Sequence, residues 1–148
     1  MPSWLRNVLA VIAGFLIGSA VNMALISVSP MLVPPPAGVD LRNSESLKEG
    51  IHLFEARHFV MPFLAHALGT FAGALVAYLT AASHKARMAY AIGALFLVGG
   101  VAASFMIPAP VWFIALDIIV AYLPMAWLAA RLGARLTEGN RAPRMREA

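Results

Sequence analysis

The chain has no cysteine and little charge. Without cysteine, disulfide staples, thiol nucleophiles and cysteine-ligated metal sites are all excluded. Charged residues make up 12% of the chain, about half of the roughly 25% carried by an ordinary soluble domain. The catalytic signatures that can be read from spacing are missing too: there is no G-x-S-x-G nucleophile turn, no HExxH zinc pair and no phosphate-binding glycine loop. No cofactor signature occurs, and no cofactor or complete metal site is expected.

What the chain has instead is long apolar runs. Of its 148 residues, 61% are hydrophobic, and the mean hydropathy is +0.78. The apolar residues fall in four blocks, about residues 8–28, 59–82, 88–107 and 111–130. Each block is close to the roughly 20 residues a helix needs to cross a bilayer. Near the N-terminus, Arg6, an apolar stretch and Gly18-Ser19-Ala20 have the layout of a secretory signal. The apolar stretch continues to Val28, however, which is longer than a signal's apolar region, so a retained span is expected.

The net charge of +4 does not point to nucleic acid, because no DNA- or RNA-binding motif accompanies it. The basic residues follow topology. Arg6, Lys85, Arg87, Arg131, Arg135, Arg141, Arg144 and Arg146 all fall in segments on one side of a four-span arrangement. This is the positive-inside pattern, and it puts both termini and the tail 131–148 in the cytoplasm. The loop 30–57 then faces outward. Short loops make spans two and three, and spans three and four, antiparallel neighbours. The expected fold is a single all-α membrane domain: an up-down-up-down bundle of four transmembrane helices in a bacterial inner membrane.

The outer loop is expected to carry a short amphipathic helix. After the stiff Pro34-Pro35-Pro36, Ser46 and Glu49 have capping-box spacing. Over residues 46–58, Leu47, Ile51 and Phe54 share one face, and Glu45, Lys48, His52 and Glu55 the other. A bend at Pro62 is expected to lead into the second span. Within the spans, small residues recur every four positions: Gly14 and Gly18 in the first, Ala65, Gly69, Gly73, Ala77 and Ala81 in the second, Ala89 and Gly93 in the third. Such strips let helices approach closely in lipid. They serve packing within the chain or, alternatively, a homo-oligomer.

One residue stands out. Asp117 lies inside the fourth apolar run, where a carboxylate is expensive and seldom persists without a partner or a task. It lies six residues beyond Val111, His66 lies seven beyond Phe59, and Asn22 lies six before Val28. At about 1.5 Å of rise per residue, all three are roughly 10 Å below the outer boundary. Helical phase lets each face the bundle interior. The expectation is an intramembrane polar site in which Asp117 and His66 form a hydrogen-bonded pair supported by Asn22. Closer to the surface, His52, Glu55 and His58 are spaced by three and form a candidate outer mouth, to be weighed against ordinary solvated residues. Glu55 and His58 match one part of a carboxylate-bridged metal motif, but its other ligands are missing.

The stretch from Pro34 to Asp40, then His58-Phe59, then the stretch from Pro62 to Thr70, resembles a family of small bacterial inner-membrane proteins of four spans, for which no activity is established. The resemblance implies the fold and the location and says nothing of mechanism. Three functional readings follow. The leading one is binding or transport of a proton, an ion or a small polar or lipid head group at the polar layer, with the bilayer as the chain's main partner. The second is a structural or accessory subunit without a ligand. The third is a membrane-embedded enzyme acting on a lipid or a quinone.

Overall fold

In hydrocarbon every backbone N–H and C=O must find its partner within the segment, so an apolar run of this length folds as helix. The computed structural model describes residues 1–139; Arg141, Arg144 and Arg146 of the expected basic tail lie outside the described residues. Among the described residues there are six α-helices: α1 (Ser3–Leu32), α2 (Ser44–Gly50), α3 (Val60–Thr80), α4 (Lys85–Met106), α5 (Val111–Val120) and α6 (Leu123–Gly139). Two 3-10 turns, Ile51–Leu53 and Ala56–Phe59, connect α2 to α3. There is no strand among the described residues. Four helical stretches, Ser3–Leu32, Ala56–Thr80, Lys85–Met106 and Val111–Glu138, are long and apolar enough to cross a membrane.

The packing is inverted relative to a soluble protein. The core around α3, α4 and α6 is built mostly of alanine, with Ala74, Ala77, Ala89, Ala126 and Ala129 fully buried around Ile92. The large side chains point out, among them Leu16, Met23, Val98, Phe105 and Ile119. Small residues inside and bulky ones outside suit helices whose solvent is lipid. On α1 the only buried residues are Ala10, Gly14 and Gly18, one strip that meets α3. A Cβ on Gly14 would lie 2.5 Å from the carbonyl oxygen of Gly73, and one on Gly18 would lie 2.7 Å from that of Gly69. The small-residue strips are thus occupied inside one chain.

The α3–α4 turn is held by the start of α1. Asn7 Oδ1 accepts from the backbone N–H groups of Ala82 (2.9 Å) and Ser83 (3.2 Å), and Asn7 Nδ2 donates to Ser83 Oγ (3.1 Å). Arg6 Nε donates to the Thr80 carbonyl at 2.9 Å. His84 closes the turn in the left-handed region, with φ 50°.

Three sequence expectations need correction. The helix expected over 46–58 is not one piece. Asn43 caps α2, its side chain accepting from Glu45 N and Ser46 N, and Ser46 Oγ accepts instead from Asp40 N. Helix α2 then stops at Gly50, whose missing Cβ makes room for Val39. Phe54 and Glu55 are extended before the next turn. The bend at Pro62 is also absent. Pro62 occupies the first turn of α3, where a helix has no use for the missing N–H, so α3 runs unbroken. The fourth run is longer than expected and is interrupted at Ala121 and Tyr122.

That interruption has an identifiable cause. Pro124 has no N–H to give the Val120 carbonyl, and its ring crowds that carbonyl. The ladder closes before the break with Ala121 N–H to Asp117 O at 2.9 Å, and resumes after it with Ala126 N–H to Tyr122 O at 2.9 Å.

Candidate functional site: a buried carboxylate, imidazole and phenol beneath a cavity

His66 projects from α3 and Asp117 from α5, and the two side chains meet. His66 Nδ1 lies 2.9 Å from both Asp117 Oδ1 and Oδ2. Equal distances are what one N–H aimed between the two oxygens of a carboxylate produces. A third residue, Tyr122 in the break between α5 and α6, donates its hydroxyl to Asp117 Oδ2 at 2.7 Å and lies 3.2 Å from His66 Nδ1. Its ring stacks on the imidazole, with centroids 6.0 Å apart. One turn along α3, Thr70 Oγ1 donates to the His66 carbonyl at 2.7 Å. No buried side-chain nitrogen or oxygen lacks a partner among the described residues.

Tyr122 is fully buried in a cluster with Ala67 and Ala121, against which Phe63, Phe96, Leu97 and Met125 pack. Its hydroxyl fits only because α4 carries Gly100, where a Cβ would collide with the phenol oxygen. Tyr122 lies in the break and Asp117 in the last turn of α5, so their hydrogen bond ties the break back to α5.

Above this cluster lies a cavity of about 370 Å³. Its walls come from α1, α4, α5, the 33–59 connection and the start of α3, and they are overwhelmingly apolar. Phe59 and Phe113 both line it with ring centroids 4.8 Å apart, and Trp112 lies edge-on to Phe59 at 5.6 Å. His66 and Asp117 line the cavity at its inner end, and His58 lines it nearer the loop. The His66 side chain keeps 25% of its surface exposed against 7% for Asp117, so the imidazole is the accessible face of the pair.

The two histidines are held by different partners. In His66, Nδ1 is engaged by Asp117, which leaves Nε2 as the ring nitrogen on the far side of the pair. In His58, Nδ1 accepts from the Glu55 N–H at 2.9 Å while the Glu55 side chain caps the turn in return, so the His58 proton sits on Nε2. His58 is buried with its ring edge-on to Phe54 at 5.3 Å.

The sequence candidates therefore separate. Asp117 and His66 are in contact. Asn22 is packed on Gly69, whose added Cβ would lie 3.0 Å from the Asn22 Cβ. Asn22 makes no hydrogen bond to Asp117 or His66 among the described residues, and Tyr122 supplies the third group. Of the outer-mouth candidates only His58 lines the cavity. His52 is exposed, and Glu55 is exposed and paired with Arg57 at 3.1 Å. Among the described residues no group of three or more His, Asp or Glu side chains is placed to hold a metal ion.

Tyr122 was not legible because its position depends on the break. On an unbroken helix a residue five places after Asp117 is rotated about 140° away from it at about 100° per residue. The available signal was Pro124, which predicts a fault in the fourth helix one turn before it. Comparison of the chain with family models, with curated proteins and with solved structures found no match.

Proposed function

We propose that this chain is a small four-span protein of a bacterial inner membrane that binds the polar head of an amphiphilic molecule in the cavity above His66 and Asp117. The observation that carries the reading is the shape and chemistry of that cavity: apolar along its walls and ended by an imidazole–carboxylate pair. Ligand sites in general are mostly apolar clefts with a few convergent polar groups, and ionisable groups at membrane depth favour function. The order of the close approaches supports an up-down-up-down bundle. Gly14 meets Gly73 and Gly18 meets Gly69, while Gly93 meets Ala126 and Gly100 meets Tyr122, so partner numbers fall as chain numbers rise. The basic residues Arg6, Lys85, Arg87, Arg131 and Arg135 support a cytoplasmic location for the end opposite the cavity.

The test is binding of dodecyl-chain amphiphiles to the full chain in phosphatidylcholine nanodiscs, followed by calorimetry. Saturable binding is expected, lost when Ala103→Phe fills the cavity and weakened at least tenfold by His66→Ala. If no amphiphile in the series saturates, the cavity is not a binding site.

The second reading, a purely structural tie, is favoured by one observation: the Tyr122–Asp117 bond ties the break before Pro124 back to α5. The two separate at Asp117→Asn. A structural tie tolerates asparagine, which can still accept the hydrogen bonds, and nothing else changes. The binding reading expects a folded protein whose affinity for the amphiphile falls.

A further inference from the structure

The end of the bundle opposite the cavity carries arginines that differ in what holds them. Arg6 is committed to the fold, its Nε donating to the Thr80 carbonyl at 2.9 Å. Arg131 and Arg135 on α6 are exposed, and neither is ion-paired among the described residues, where the pairs are Arg57–Glu55 and His66–Asp117. Spaced by four, they stand one above the other in a row that begins at Trp127. The Arg131 guanidinium lies over the Trp127 ring, 4.4 Å from its centroid. A guanidinium attracted to the face of a ring still has N–H groups at its edge to donate. Arginine also stays charged in proteins, so the sign of this patch does not depend on its surroundings.

The two arginines line a groove of about 340 Å³ whose other walls are apolar: Phe71 of α3, and Trp127, Leu128 and Leu132 of α6. Tyr78 abuts Gly133, and Ala67 clusters with Ala121, so α3 and α6 run the same way and Phe71 falls level with the first turns of α6. The aromatic part of the groove therefore lies toward the middle of the span and the arginines toward its end. Glu138, the one acidic residue of α6, does not line it. Both helices belong to stretches long and apolar enough to cross a membrane, where an outward groove is filled by lipid chains. Guanidinium groups favour phosphate oxygens as acceptors. At the end of a span, the phosphate of a lipid is the anion that brings an apolar chain with it. A zwitterionic head adds an ammonium group, which two arginines repel. A head whose remainder is uncharged meets no such repulsion.

We infer that the α3–α6 groove is a site for an anionic phospholipid, its phosphate held by Arg131 and Arg135 and an acyl chain laid along Phe71, Trp127 and Leu128. The site shares no lining residue with the cavity and does not depend on the amphiphile reading. Basic pockets between transmembrane helices bind anionic lipid heads. Trp127 has two roles here: it holds the Arg131 guanidinium and offers apolar surface to the chain.

The experiment reads tryptophan quenching by lipids brominated on their acyl chains. In the full chain, Trp4→Phe with Trp112→Phe leaves Trp127 as the sole tryptophan, and Trp4→Phe with Trp127→Phe leaves Trp112, at the cavity end, as the reference. Each protein is placed in phosphatidylcholine vesicles into which brominated phosphatidylglycerol or brominated phosphatidylcholine is titrated. At Trp127, phosphatidylglycerol is expected to be preferred about fivefold or more, the attraction of at least one basic residue to an anionic lipid; at Trp112 no preference is expected. Arg131→Gln and Arg135→Gln should each lower the preference severalfold and together abolish it, with helicity by circular dichroism unchanged because both side chains are exposed. Arg87→Gln, at the same end but outside the groove, should leave it intact. Equal preference at both tryptophans, its survival in the double arginine variant, or its loss in Arg87→Gln assigns the effect to general surface charge and overturns the site. Displacement of the lipid by excess inorganic phosphate gives the arginines to a free anion, and absence of quenching at Trp127 by either lipid gives the groove to protein; both overturn the site as well.

Discussion

The two ends of this bundle are built from similar helices and finish differently. At the Ser83 end, α3 turns into α4 within a few residues, and Arg6 and Asn7 of α1 reach across to satisfy the turn's backbone. From there α1 and α3 run in close backbone contact, because glycine faces glycine along the seam. At the loop end, α1 is joined to α3 by a long connection of short turns, and Phe59 before α3 packs on Phe113 of α5. There a cavity of about 370 Å³ persists, and its inner end is ionisable. The difference teaches that backbone proximity already holds the bundle together at one end. The polar cluster joins α3 to α5 and takes no part in the α1–α3 seam.

The largest effect is expected from breaking the closed end. Gly73→Leu would drive a side chain against the Gly14 backbone, which cannot rotate aside as a flexible side chain can. Overpacking typically costs 1–3 kcal/mol and sometimes more, and a backbone obstacle puts this case at about 3 kcal/mol or above. Thermal unfolding in detergent, followed by circular dichroism, measures it. A protein with wild-type stability would mean that the seam does not hold α1.

The same contrast explains what could be read from the sequence. Four spans were visible because length and apolarity alone decide them, and the seam was visible because Gly14, Gly18, Gly69 and Gly73 repeat at helical spacing. The Asp117–His66 contact was visible because depth is counted along the chain. Asn22 had the right depth but not the right azimuth, since the glycine pairing of α1 and α3 directs it at Gly69. Tyr122 was hidden by a change of helical phase at the break, and the outer helix by local chemistry: Asn43 in place of Ser46 as the cap, and Gly50 as the stop. Where helical periodicity runs unbroken, sequence reasoning works. Where a cap or a proline resets it, spacing misleads.

At the open end, the next effect in size is expected for Gly100→Ala. The added methyl group occupies the place of the Tyr122 hydroxyl, so the phenol must move and its bond to Asp117 is lost. A loss of about 2 kcal/mol combines overpacking with a broken hydrogen bond. Tyr122→Phe alone removes only the bond. Interhelical hydrogen bonds in membranes average about 0.6 kcal/mol and reach about 1.7, so a loss of about 1 kcal/mol is expected. The double variant should cost less than the sum, because both single variants lose the same Tyr122–Asp117 bond, although ring carbons of residue 122 still crowd the new methyl. Strict additivity of the two in equilibrium unfolding would show that Gly100 and Tyr122 do not interact.

The smallest effect returns to the closed end. Asn7→Ala deletes three hydrogen bonds in one step, those to Ala82 N, Ser83 N and Ser83 Oγ. Counted by bonds, this should be the most damaging of the polar substitutions. Its position argues otherwise. Ala82 is exposed and Ser83 half-buried at a turn that ends in His84 and Lys85, a charged segment that belongs in water. Once uncovered there, a backbone N–H is rehydrated instead of being stranded, and the net worth of a bond that water can replace is small. A loss of about 0.5 kcal/mol is expected, with no change in amphiphile binding. Amide exchange at Ala82 and Ser83 should rise while exchange in α3 around His66 stays slow. If Asn7→Ala costs as much as Tyr122→Phe, the turn is not open to water, and the contrast between a closed end that water can repair and an open end that it cannot would be wrong.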